Sequence, residues 1–186
     1  KITTALPSPA SYVEATFRAA AGVPYRFWIR MRADGDTWTN DSIFVQFSGT
    51  VTQIGAAVNR IGTTGAMGVV LEEGSGAGVL GWGWADGGYG TVDGPIYFNT
   101  DGVQRIRIQQ REDGIRIDQI VISADTFSAS SPGAIKQDST IVPVFDLEAT
   151  GAVPVHRFKF PGVFPVQLLV VDGSRSSSAT TTATIR

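Results

Sequence analysis

The sequence predicts an all-β protein, a β-sandwich, and three observations carry that expectation. First, apolar residues recur with a period of two in short runs, the pattern of strands with one buried face. Second, composition suits short strands joined by turns: 22 glycines, many Ser and Thr, and only 17% charged residues against 42% hydrophobic ones. Third, the run from Ile106 to Ser123 reads as a hairpin. Ile106 and Ile108 alternate with Arg105, Arg107 and Gln109, Glu112-Asp113-Gly114 supplies turn chemistry, and Ile115, Ile117 and Ile122 resume a β-branched strand.

Residues 1–11 contain Pro7 and Pro9 and read as an entry segment, and the start at Lys1-Ile2 reads as a processed or incomplete N-terminus. Tyr12 to Arg18 forms the first strand, with Tyr12, Glu14, Thr16 and Arg18 on one face and Val13, Ala15 and Phe17 on the other. In the second, Tyr25 to about Ala33, Tyr25, Phe27, Ile29 and Met31 make the core face, opposite Arg26, Trp28, Arg30 and Arg32. The loop Asp34 to Asp41 carries three carboxylates, Trp38 and the Asn40-Asp41-Ser42 sequon for N-glycosylation. Carboxylates at this density suit calcium, but Asp34 and Asp36 also have a sufficient explanation as turn formers.

Ser42 to Phe47 is a strand, Ser48 to Thr50 a turn, and Val58 to Ile61 and Val69 to Glu72 are weaker strands. Residues 74–90 then set Trp82, Trp84, Asp86 and Tyr89 in a glycine lattice. Large aromatics in so flexible a stretch have three uses: platforms for the apolar face of a sugar, plugs that pin the loop to the sandwich, or anchors for a protein partner. Pro95 to Phe98 and Val103 to Gln110 lead into the hairpin, and Ala124 to Gly133 begins a stretch whose composition is that of a linker. Beyond it, strand-like runs fall at Val153 to Phe160, Phe164 to Val171 and Ser178 to Ile185.

The chemistry excludes several function classes. A net charge of −2 leaves no electrostatic footprint for nucleic acid or an anionic membrane, and no stretch reaches the about 18 apolar residues of a membrane span. Cysteine is absent, which removes disulfides and thiolate metal sites. There is no Gly-x-Ser-x-Gly elbow, and the single histidine, His156, sits on a strand pattern, so the sequence is read as non-enzymatic. Asp118 interrupts an otherwise apolar strand and requires a partner, a metal or an edge position.

Three pieces together, Tyr25 to Ala33, Asn40 to Phe47 and Arg111 to Ile122, resemble strands of galactose-binding-like β-sandwiches, in particular carbohydrate-binding modules of the family 6 and family 35 type. The resemblance spans roughly residues 12–123 and implies a jelly-roll sandwich for 1–125, sugar binding by loops at one end, and an extracellular or cell-surface location. It also implies a structural calcium ion at Asp118, although the family's first glutamate-bearing strand is not visible, and a loop-orienting role near the ligand for Asp41. The candidate ligand residues are Trp38, Asp41, Trp82, Trp84, Asp86 and Tyr89.

Val155 to Phe158, Pro161 to Gly173 and the Thr-rich end resemble the second half of a polycystic-kidney-disease-type immunoglobulin-like domain over 144–186, after a linker over 126–143. The leading expectation is therefore a non-catalytic module whose partner is a polysaccharide or glycan. The alternative is a structural subunit, a homopolymer that builds an extracellular filament or surface layer by exchange of strands between neighbours, with glycans on its Ser/Thr clusters.

Overall fold

A computed structural model of the chain describes residues 1–90, 92–142, 162–166 and 181–185. The fold is all-β, and nine strands form the body: β1 Tyr12–Ala19, β2 Arg26–Ala33, β3 Ser42–Phe47, β4 Thr50–Val51, β5 Met67–Val70, β6 Gly83–Ala85, β7 Tyr97–Phe98, β8 Gly102–Gln110 and β9 Ile115–Ser123. One sheet has the order β1-β8-β3-β5 and a second the order β6-β2-β9, all antiparallel, while β4 and β7 pair separately. β10 Gly162–Val166 and β11 Thr181–Ile185 form an antiparallel pair of their own. His156, the run Val153 to Phe160 and most of the immunoglobulin-like reading lie outside the described residues.

The two main sheets face each other across one core. Phe27, Ile29 and Met31 of β2 meet Ile43, Val45 and Phe47 of β3 and Ile106 and Ile108 of β8. Phe17, Phe27, Phe47, Phe98 and Tyr25 interlock edge to face, with centroids 5.4–6.3 Å apart, the geometry in which a ring's positive edge meets its neighbour's negative face. The expected strand at Val58 to Ile61 makes only one isolated bridge, Phe47 with Arg60, and a second joins Val51 to Ala57 just before it. Conversely, β6 lies within the glycine lattice. A side chain at Gly83 would overlap the Ile135 carbonyl, so glycine here permits close approach of two backbones.

That approach belongs to a wider set of contacts made by residues 127–142, inside the stretch 126–143 that reads as a linker. The Ser-, Pro- and Gly-rich composition hides anchors, and residues 127–142 form a strap across the outer face of the second sheet. Trp84 N donates to Ala134 O (3.1 Å), Gln137 N to Leu80 O (2.8 Å) and Asp138 N to Trp82 O (2.8 Å). Trp28 Nε1 donates to Phe127 O (2.9 Å), and the Gln119 amide makes two bonds with the backbone of Val142, at 3.0 and 3.1 Å. Trp28, Trp84, Val121 and Val142 close into a second, smaller core.

At its centre is Arg30. Its Nε and Nη2 donate to Asp138 Oδ2 and to the Asp138 carbonyl, both at 2.7 Å, and Nη1 pairs with Asp118. The Trp82 ring lies 4.9 Å from the guanidinium carbon. A β-bulge creates this geometry: Arg30 pairs with Gln119 and Met31 with Ile117, so Asp118 is the extra residue of β9. The bulge also explains why Ile117 and Ile120, three apart, both pack on the main core.

The other sheet carries a shorter strap. Leu6 N donates to Gln109 Oε1 (2.8 Å), Gln109 Nε2 donates to Gln46 Oε1 (2.9 Å), and Gln46 Nε2 donates to the carbonyls of Thr63 and Gly65 (2.8 and 2.7 Å). Buried amides are tolerated because they are bonded in series.

Removing one member of a buried, hydrogen-bonded ion pair leaves an uncompensated charge, whose cost is about 3–5 kcal/mol. Asp138→Ala is therefore expected to lower unfolding stability by about that amount. Urea denaturation measures it, and a loss below about 1 kcal/mol would show that the strap contributes little.

Candidate functional site

One end of the sandwich gathers the loops 34–41, 71–82, 87–90 and 111–114. Asp34 N donates to Gly114 O (2.9 Å), Asp36 Oδ1 accepts from Gly81 N (3.0 Å), and Val70 N donates to Gly87 O (2.8 Å). Asp41 ties them together. Its carbonyl accepts from Leu71 N (2.9 Å) and its carboxylate from Glu72 N (3.0 Å). Glu72 in turn accepts from Gly78 N (2.7 Å) and from the Tyr89 hydroxyl (3.3 Å). Glu112 completes the node, paired with Lys1 Nζ at 2.7 Å and accepting from the Ser42 hydroxyl.

Asp41, Glu72 and Glu112 are all buried, and burial bears on the acidities of Asp41 and Glu112. Burial raises the Asp41 carboxyl to about 6; the Glu72 amide opposes the rise and neighbouring Glu112 adds to it. Burial also acts to raise Glu112, but Lys1, Ser42 and Asp41 outweigh it and hold that carboxyl below its ordinary value. The pair Asp41 and Glu112 thus favours one proton, held on Asp41. A second acidic group lies beside it. Burial, then the charges of Asp86 and Asp93, push Glu73 to about 7.

The sequence candidates separate into two sets. Trp38 and Tyr89 are 60% and 57% exposed, on loops fixed to the Asp41–Glu72 node. Trp82 is half-buried and stacked on Arg30. Trp84, at 0% exposure, is a plug beneath the strap, one of the three uses the sequence leaves open for these aromatics, and offers no platform to a ligand. The reason is its pairing with Arg30 in the second sheet, whose outer face is covered. Asp41 and Asp86 are buried supports; Asp86 accepts from Asp93 N (2.7 Å) and shapes the loop that carries Tyr89. Asn40 is half-buried, and its Nδ2 donates to Asp34 O (3.2 Å).

Asp118 is engaged through Oδ2 by Arg30, while Oδ1 and Trp84 Nε1 are buried with no partner among the described residues. Burial raises the Asp118 carboxyl, against the pull of Arg30. Sequence reasoning missed Glu72 and Glu112 as buried groups because each has an ordinary reading, at a strand end and in a turn. Their burial depends on loops that meet only in the fold.

Comparison with protein families, with curated proteins and with solved structures finds no match to this chain. Among the described residues no helix is long and apolar enough to cross a membrane.

The raised carboxyls have a definite consequence for pH. A group whose folded pKa exceeds its unfolded value lends stability while protonated and loses it as pH rises through the folded value. Asp41 and Glu73 therefore lower stability as pH climbs from about 4.5 through 7. Glu112 and Asp138, both held below their ordinary values, act oppositely and lose their contribution on acidification. Glu73→Gln is expected to flatten the upper limb and to stabilise the protein at pH 8 by about 1–2 kcal/mol, after allowance for partial solvent screening. Thermal unfolding of both forms from pH 4 to 8 measures this, and parallel profiles would contradict it.

Proposed function

We propose that the chain is a non-catalytic carbohydrate-binding module acting outside the cell, whose ligand surface is the loop end bearing Trp38 and Tyr89. The observation that carries this reading is the exposure of two aromatic side chains on loops that buried carboxylates hold in place. An indole or phenol ring presents an apolar face to the C–H face of a pyranose, and a rigid support reduces the entropy lost on binding. Trp82 lies deeper on the 71–82 loop and contributes its exposed edge. Asp41, Asp86 and Trp84 support the surface from beneath.

Calcium is no part of the mechanism proposed. Among the described residues no three Asp, Glu or His side chains are placed to hold a metal ion. At Asp118 the positive charge beside the carboxylate belongs to Arg30, and a calcium ion would have to displace a guanidinium that also binds Asp138. In this reading Arg30 supplies the positive charge beside Asp118. A chelator is therefore expected to leave the melting temperature unchanged, and a fall of several degrees would reverse the assignment.

Affinity electrophoresis through gels loaded with soluble glucans, xylans and mannans tests the sugar reading. Trp38→Ala and Tyr89→Ala are each expected to weaken retardation about tenfold, with melting temperatures close to that of the parent. Retardation by none of the polysaccharides, or retardation that neither substitution alters, would refute it.

A further inference from the structure

The first sheet ends at β1, and among the described residues that edge is open from Glu14 to Arg18. Arg105 of β8 turns its backbone groups toward β3, where its carbonyl accepts from Ser48 N and its amide donates to Ser48 Oγ, both at 2.9 Å. Alternation then turns the backbone groups of Gln104, Ile106 and Ile108 toward Phe17, Ala15 and Val13 of β1. The amides and carbonyls of Glu14, Thr16 and Arg18 therefore face away from the sheet, and no hydrogen bond reaches them among the described residues. Val13, on the core face of β1, is 54% exposed, because the narrower second sheet leaves this margin uncovered. Arg18 is exposed and has no ion pair among the described residues.

The geometry points to a second copy of this chain as the occupant: β1 pairs antiparallel with the partner subunit's β1 about a two-fold axis through Thr16. The charge pattern selects the occupant and the register. With Thr16 opposite itself, Glu14 faces the partner subunit's Arg18 and Arg18 faces the partner subunit's Glu14. All three residue types then bring outward-facing backbone groups to the junction. Pairing centred on Glu14 or on Arg18 sets like charges together, and pairing centred on Ala15 leaves both charges unmatched.

In the selected register a charged row runs across the joint, from Arg107 through Glu14, which it binds at 2.8 Å, to the partner subunit's Arg18. On the opposite face Ala15 meets the partner subunit's Phe17, Phe17 meets the partner subunit's Ala15, and Val13 meets the partner subunit's Ala19, which covers the margin. The two four-stranded sheets become one sheet of eight. An interface of one strand edge falls in the small size class, so the dimer is weak and concentration-dependent. It is also closed, since an isologous contact uses the same edge on both copies.

The chain has no cysteine, which makes the axis directly testable. Thr16 is exposed, and residues facing each other across a hydrogen-bonded antiparallel pair lie about 5.5 Å apart at Cα, within disulfide reach. Thr16→Cys in the full chain is expected to give one cross-linked dimer on mild oxidation. Sedimentation equilibrium of the parent is expected to show 19.7 kDa monomer in exchange with a species of twice that mass. Arg18→Glu, which sets two glutamate pairs against each other, is expected to raise the dissociation constant about tenfold or more, while Arg116→Glu on the second sheet leaves it unchanged. A monomer at every concentration, an open-ended polymer, Thr16→Cys that stays uncross-linked, or equal effects of the two charge reversals would each overturn the assignment. None of these results bears on sugar binding at the loop end.

Discussion

The buried guanidinium of Arg30 is the constraint on which the second half of the molecule depends. A charge this deep is stable only when it is paired, and the chain meets it from three directions: a bulge in β9 supplies Asp118, the strap supplies Asp138 twice, and Trp82 supplies a ring face. None of the three is a regular feature of a sheet. Each exists because the arginine is there, and the strap in turn keeps water from it and from Trp28 and Trp84. The arrangement exchanges the ordinary wet outer face of an antiparallel sheet for a second dry layer.

The same logic, with amides in place of charges, governs the first sheet. Gln46 and Gln109 would be costly inside a protein if either lost its partner, and they link residues 63–65, two strands and the N-terminal strap into a single bonded chain. At the loop end the network is acidic. Three buried carboxylates hold four loops, and burial weakens the acidity of one of them, Asp41. Rigidity beneath the exposed aromatics is thus obtained from polar groups, because glycine-rich loops have too few apolar side chains to pack.

Much of the sandwich was legible because period-two alternation is local. β1, β2, β3, β8 and β9 lie where the pattern places them, and Asp118 stands out as a break in its strand, though the bulge that makes it one emerges only from the pairing with β2. The glycine lattice was not legible in detail. Gly83 to Ala85 form a strand only because a neighbouring backbone lies against Gly83, a contact with no signature in the segment itself. The strap failed to announce itself for a related reason: its composition is that of a linker, and only Asp138, Val142 and Phe127 carry the contacts, spaced by no period. At the candidate site, type and position of the aromatics could be read, but not their exposure. Trp82 and Trp84, two apart and alike in sequence, are separated by which of them the strap covers.

The strap also bears on how the protein responds to force. Tension applied at Val142 is carried first by the Gln119 amide pair on β9 and then, through Asp138, by the Arg30 clamp on β2. Those contacts are side-chain bonds that break one after another, in the manner of a zip, whereas β2 and β9 share a ladder of eight residue pairs that must shear together. The strap is thus expected to detach before that ladder shears, with the loop end and the β1 edge left in place.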